Sequence, residues 1–420
     1  MSDRLHKVFD AIDLDGLIGS LCEMIAVPSC DGDETGMQQR MAQLLEEAGM
    51  ETDVWEIDLE TLQQHPAYGA EIQRERALGV VGQWGRGRGP SLILNGHVDV
   101  VPAGQRQRWS VDPWRGTVRD GRVYGRGAVD MKGGLCCALY AVRALRQAGV
   151  DLPGTVKIHS VVGEEDGGLG TLATIERGHL ADAAIVLEPT QLMIAPAQAG
   201  AISFRITIPG IAAHGALRTE GINPIEKFHL IYTAIQQLER ERNHRLRHPL
   251  FDTYEIPFAI CVGKMQAGVW ASTVPETLVM EGRYGIGIDE DDITVARAEL
   301  ESAIHHAAQQ DEWLRDHPPS VEWWGARFMP AAIPADHPLV CTLADSYQTC
   351  LSVPPVIRGM PYGADMHLLV NQGKIPTVIF GPGDVRSAHA PDEFVPVADL
   401  LAVTRVLATM ILRFCDNACD

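Results

Sequence analysis

Apolar and polar positions along this chain follow one rhythm up to about residue 198 and another beyond it. In the first part, helix-like and strand-like stretches take turns. Apolar spacing predicts helices over about 13–27 and 35–49, the second closed by Gly49. A Gly-rich turn, GQWGRGRGP, leads into SLILNGHVDVV, whose apolar run suits a buried parallel strand. MKGGLCCALYAVRALRQAG reads as a helix with a Gly near its C-cap. Cys136 and Cys137 fall inside that helix as packing residues. TVKIHSVVGEE and ADAAIVLEPT are two more strands. Such alternation predicts an α/β fold, a mainly parallel sheet flanked by helices.

In the second part AISFRITIPG alternates as a half-buried strand, and a helix follows from about Pro224 to Arg242. Strands FAICVGKM and TLVMEGRYGI come next, then a helix from about Asp292 to Gln309 and the strand SVEWWGARF. The order βαββαβ predicts a ferredoxin-like layer. After about Phe328 the chain returns to helix, strand (KIPTVIFGPG) and helix. At 420 residues the chain exceeds one ordinary core. The expected division is an α/β domain of residues 1–197 and 327–420, with 198–326 inserted into it.

Composition narrows the class. Hydrophobic residues make up 46%, enough for a fully globular protein, and the formal net charge is -20. That balance argues against nucleic acid and anionic membrane surfaces, which call for basic patches. The N-terminal residues mix charges with apolar groups, so no signal peptide is expected. No run of about 18 apolar residues suggests a membrane span. Nine cysteines without a CxxC pair point to reduced thiols and a cytoplasmic enzyme.

Acidic and imidazole residues then stand out at strand ends. They occur in NGHVDVV (His97, Asp99), YGRGAVDMKGG (Asp130), VVGEEDGG (Glu164, Glu165), VLEPT (Glu188) and SAHAPDE (His389). Each alone has an ordinary explanation: a satisfied strand-end His, a helix N-cap Asp, a solvated acidic turn. Together they form a two-metal donor set. His97 and Asp99, two apart on a strand, share a face. Asp99 could orient the His97 ring or hydrogen-bond loop backbone near the second ligand. Asp130 sits in a Gly-rich turn, where a carboxylate can bridge two cations about 3.5–4 Å apart. Glu164 and Glu165 end a strand, where open α/β sheets bind ligands. One can hold metal while the other takes a proton from water. Glu188 and His389 supply a carboxylate and an imidazole. Nitrogen and carboxylate donors suit zinc, with cobalt or manganese as substitutes.

These blocks, in this order and spacing, resemble the co-catalytic zinc amidohydrolases. That family includes acetylornithine deacetylase, succinyl-diaminopimelate desuccinylase, aminoacylase and glutamate-type carboxypeptidase. The resemblance spans nearly the whole chain. It implies two divalent ions per subunit, one on His97, Asp130 and Glu188, the other on Asp130, Glu165 and His389. It implies Glu164 as general base, Asp99 behind the metal cluster, and a cis peptide after Asp130. From the inserted domain it implies His214 (IPGIAAHGA), often acting on the partner subunit's site, as the group that polarises the scissile carbonyl. Arg283 (VMEGRYGI) would hold a substrate carboxylate. Asn223 (GINPIEK), and Gly363 and Asp365 of PYGADMHLL, complete the substrate-binding set. Ala364 stands where the family often has a hydroxyl residue. The resemblance also implies a homodimer formed through the inserted lid domain.

The reaction expected is hydrolysis of a linear amide, releasing a small acyl group from a small N-acyl amino acid or amine. LERERNHRLRHPLF, VEWWGARF and FGPGDVRSAHAPDEF resemble a longer branch of the family that includes formylaminopyrimidine deformylases of thiamin salvage. A carboxypeptidase or dipeptidase is a second enzymatic alternative. A catalytically inactive metal-binding assembly protein is the alternative of another class, and the intact donor set with Glu164 argues against it.

Overall fold

The computed structural model describes residues 3–290 and 292–416. They fall into two compact units. One comprises 1–197, 331–360 and 364–420; the other comprises 198–330 with 361–363.

The larger unit is built on six strands in the order Glu51–Glu56, Leu78–Gly85, Thr155–Val161, Ser91–His97, Ala183–Val186 and Thr377–Ile379. The last four in this order pair in parallel, whereas Leu78–Gly85 runs antiparallel to both of its neighbours. The central strand shows the two-sided burial that makes its sequence continuously apolar. Asn95 points to the helix Leu169–Glu176, where its amide donates to Thr171 Oγ1 at 2.8 Å. At the next residue, Gly96, an added Cβ would lie 2.9 Å from Leu135 of the helix Gly133–Gln147. That helix is buried along nearly its whole length, Cys136 and Cys137 included, and Gly149 follows it at φ 72°.

The segment GQWGRGRGP is only partly a turn. Gly82, Gln83, Trp84 and Gly85 belong to the strand Leu78–Gly85. Glycine here makes room for neighbours: a Cβ on Gly79 would sit 2.2 Å from the Trp55 ring, and one on Gly82 3.0 Å from Leu45. Such tertiary packing leaves no local signature.

The smaller unit is an antiparallel sheet ordered Ile260–Ala267, Thr277–Ile286, Gly200–Pro209, Ser320–Phe328. With the helices Pro224–Arg245 and Ile293–Ala308 it follows βαββαβ order. Phe204, Ile206, Met280 and Tyr284 of the sheet pack with Ile231, Ile235, Leu300 and Ile304 of the helices. The unit runs past the expected end at 326 because its last strand continues to Phe328. It also takes in Pro361–Gly363: Arg283 Nη2 donates to the Pro361 carbonyl at 3.0 Å, and Gly363 packs so closely on Phe328 that a Cβ would lie 2.3 Å away. No helix among the described residues is long and apolar enough to cross a membrane. Eight of the cysteines are free thiols, and the ninth, Cys419, lies outside the described residues.

One close approach bears directly on the strand end that carries Glu188. A Cβ on Gly134 would meet the Leu187 carbonyl oxygen at 2.3 Å. Gly134→Ala is expected to cost about 1–3 kcal/mol through overpacking. A urea midpoint equal to that of wild type would show that the backbone there yields freely.

Candidate metal centre and active site

His97 is the last residue of the central strand and is fully buried. Its Nδ1 lies 2.8 Å from the Asp99 carbonyl, an acceptor, so Nδ1 carries a proton and Nε2 is the nitrogen turned inward, the one that would bind a metal once deprotonated. Around Nε2 stand Asp130 Oδ1 at 3.1 Å, Glu188 Oε1 at 3.5 Å and Glu164 Oε2 at 3.9 Å. Asp99 takes the second of the two roles open to it. Its Oδ2 accepts the backbone N–H of Glu165 at 3.0 Å, while Oδ1 stays 3.6 Å from His97 Nδ1.

Asp130 turns one oxygen to each histidine. Oδ2 lies 3.4 Å from His389 Nε2, which is also 3.0 Å from Glu165 Oε2. His389 reaches this position from a loop residue at φ 57°, a conformation uncommon outside glycine. Asp130 is not an N-cap, and its peptide to Met131 is cis. The loop is tied down by Glu393, whose Oε1 accepts the N–H groups of Val129 at 3.0 Å and Asp130 at 3.2 Å. Arg126 donates to the other Glu393 oxygen. Just beyond, buried Lys132 donates to the Met24 and Val27 carbonyls, both at 3.0 Å.

The donor set suits divalent metal ions. A tetrahedral ion with bonds of about 2.0–2.2 Å has donor–donor edges of roughly 3.3–3.6 Å. The four closest imidazole–carboxylate separations, 3.1, 3.5, 3.4 and 3.0 Å, lie close to that range. Glu188 Oε1 is buried with no hydrogen-bond partner among the described residues. Five carboxylates (Asp99, Asp130, Glu164, Glu165, Glu188) surround two imidazoles, an excess of negative charge that a pair of cations would neutralise. Two triads have donors mutually within 4.8 Å: His97, Glu164 and Glu188, and His97, Asp130 and Glu165. Distance alone therefore admits either glutamate of the EE pair as a ligand.

Electrostatics agree with this excess. Burial first, then the neighbouring carboxylate Glu188, pushes Glu164 well above the usual carboxylate range. Burial and Asp130 push Glu188 up to about 8. Burial opposes charge on His97, but Asp99 and Glu188 outweigh it and raise its pKa well above the ordinary value. Hydrogen bonds to Asp130 and Glu165 raise His389 to about 10. Asp130 is held low despite burial by its bonds to both histidines.

The remaining candidates separate by location. Asp365 is buried in the larger unit, where it accepts from Thr171 Oγ1 at 2.6 Å and so extends the chain from Asn95. His214, Asn223, Arg283 and Gly363 lie in the smaller unit. His214 is exposed, and its Nδ1 accepts the Ala216 N–H at 3.1 Å, which leaves Nε2–H as an outward donor. Asn223 caps the helix Pro224–Arg245 by accepting the Ile225 N–H. Arg283 is half-buried against the Pro361 carbonyl.

Sequence reasoning passed over Glu393 and a second brace. Buried Arg74 pairs with Glu34 at 2.9 Å and with Asp166 at 2.7 Å. Asp166 also accepts the N–H groups of Glu71 and Ile72, which locks the turn after Glu164 and Glu165. Arg74 stands in QRER, where burial leaves no trace; Asp166 and Glu393 lie inside the quoted motifs VVGEEDGG and SAHAPDE as acids with no assigned role.

A model of the peptidase family M20/M25/M40 matches residues 93–413. The chain belongs to that family. N-formyl-4-amino-5-aminomethyl-2-methylpyrimidine deformylase of Bacillus subtilis is 31% identical over 406 residues, 91% of this chain and 90% of that protein. A probable succinyl-diaminopimelate desuccinylase of Staphylococcus epidermidis is 26% identical over 330 residues, 73% and 79% of the two chains. The di-peptidase Dug1p of Saccharomyces cerevisiae shares the fold, with a TM-score of 0.77 at 14% identity over 99% of this chain and 100% of the other. As a family member with this donor set, the chain is a metal-dependent amide hydrolase.

Without metal the centre should weaken as pH rises. Glu188, raised from 4.5 to about 8, favours folding only while protonated. His389, raised from 6.5 to about 10, contributes stability below 6.5 that is lost on rising through 10. Both slopes have the same sign. Chelator-treated protein is expected to melt lower at pH 9 than at pH 6, with added divalent metal removing most of the difference. A chelated protein equally stable at both values would contradict the charge assignment.

Proposed function

We propose that the chain hydrolyses the formamide of a small aminomethyl-heteroaromatic amine, releasing formate. The similarity to the Bacillus deformylase, 31% identity over nine-tenths of both chains, carries this reading of the substrate. The centre around Asp130 supports the reaction. Bound divalent ions, zinc first among the candidates, would polarise the carbonyl and acidify a water. In this reading His97, Asp130 and Glu188 hold one ion and Asp130, Glu165 and His389 the other, while Asp99 fixes the backbone beside Glu165.

Glu164 takes a proton from the attacking water and returns it to the amide nitrogen as the C–N bond breaks, giving formate and the free amine. His214 offers its Nε2–H to the developing oxyanion, in its own subunit or a partner's. Gly363 and Asn223 shape the substrate-binding region through the packing and capping described above, and Asp365 acts from behind, through Thr171. The smaller unit serves as lid and dimer contact, and the free thiols suit the cytoplasm.

A second reading, hydrolysis of an N-succinyl or other N-acyl amino acid, is favoured by Arg283, whose guanidinium suits a substrate carboxylate, and by the desuccinylase relative.

One panel separates the two: an N-formyl aminomethylpyrimidine, N-succinyl and N-acetyl amino acids, and dipeptides. The formamide is expected to have the highest kcat/KM; a preference of tenfold or more for an N-acyl amino acid would transfer the conclusion to the second reading. Glu164→Ala is expected to abolish turnover with bound metal largely kept. A variant at near wild-type rate would remove Glu164 from proton transfer.

A further inference from the structure

Among the described Trp, Tyr and Phe residues, Trp270 alone is classed as exposed. It is 73% accessible, and Val269 beside it 99%. They form the tip between the strand Ile260–Ala267 and the short strand Thr273–Val274. A solvated indole next to a solvated valine is an unfavourable surface unless something covers it.

The tip is attached directly to His214. Thr273 is the antiparallel partner of His214, and Gly215 N–H donates to the Ser272 carbonyl at 2.7 Å. The Thr273 N–H in turn donates to the Trp270 carbonyl at 3.1 Å, closing a turn from Trp270 to Thr273. Paired Cα atoms lie about 5 Å apart and the ends of such a turn under about 7 Å, so the Cα atoms of Trp270 and His214 are within roughly 12 Å. Exposed Ile211 and Leu217 flank the same histidine along the chain. The most exposed apolar residues of this loop cluster therefore stand beside the donor assigned to the scissile carbonyl.

We infer that Trp270 is a specificity-determining residue, whose indole covers the planar ring of the substrate's amine portion; this rests on the role proposed for His214. In an N-acyl aminomethyl-heteroaromatic the ring centre lies only about 5 Å from the amide carbon by standard bond lengths, so a group that reaches the carbonyl has the ring as its next neighbour. The size of the patch favours a small occupant. An indole buries about 150–250 Å², well short of the roughly 800 Å² per partner of a standard protein interface.

The test compares two formamides of similar size, one on an aminomethylpyrimidine and one on a saturated aminomethylcyclohexane, with wild type, Trp270→Ala and Trp270→Phe. Trp270→Ala is expected to raise KM for the aromatic substrate about 3- to 10-fold, with kcat within twofold and the saturated substrate unaffected. Trp270→Phe should restore most of the loss. Equal effects on both substrates, no effect on the aromatic one, or conversion of a dimer to monomers by Trp270→Ala would overturn the inference.

Should wild type prefer an N-acetyl or N-succinyl amino acid, the formamide reading falls separately. Trp270 is then judged on the same contrast between aromatic and saturated side chains carrying that acyl group. Calorimetric titration of metal-loaded wild type and Trp270→Ala with the two free amines reads the contrast without turnover. Tighter binding of the aromatic amine, lost in Trp270→Ala, supports the inference; equal affinities refute it.

Discussion

The centre of this protein depends on one carboxylate placed between two imidazoles. Asp130 directs Oδ1 toward His97 and Oδ2 toward His389, 3.1 and 3.4 Å away. His97 comes from the end of the central strand and His389 from the loop between the strands Thr377–Ile379 and Phe394–Pro396. The Asp130 backbone is held from behind. Glu393 holds it through the N–H groups of Val129 and Asp130, and is itself paired with buried Arg126. Burying that carboxylate is costly in isolation, and its bonds to both histidines offset the cost.

The same logic repeats around the centre. Glu164 and Glu165 follow a strand, and the turn after them is fixed by the Arg74 pairs with Glu34 and Asp166. Asp99 couples His97 to the Glu165 backbone. Asn95, Thr171 and Asp365 form a polar chain inside an otherwise apolar layer. Buried charge is tolerated here because each brace makes at least one hydrogen bond or ion pair, while Glu188 Oε1 is left for a cation.

Much of this was legible in the chain. The unbroken apolar run before NGHVDVV is what a strand covered on both faces requires, and the acids fall at strand ends because side chains there escape the packed layers. The ferredoxin-like layer was legible from the βαββαβ order of its elements, beginning with the alternating strand AISFRITIPG. Other features depend on contacts between distant residues. Arg74 looks like a solvated charge in QRER, yet it is buried between two acids. Gly82 looks like a turn residue, yet it lies in a strand and admits Leu45. Glu393 sits four residues from His389 and acts on a loop more than 260 residues away in the chain. Asn223 owes its visible contact to helix capping, which an Asn before Pro-Ile-Glu announces locally.

The most direct measurement is the electron paramagnetic resonance spectrum of protein loaded with manganese, with the metal content counted on the same sample. The account predicts two ions per chain and an exchange-coupled spectrum, because one carboxylate would hold the pair about 3.5–4 Å apart. It also predicts loss of that coupling in Asp130→Ala. One ion per chain, or two uncoupled ions in wild type, would contradict the central role of Asp130.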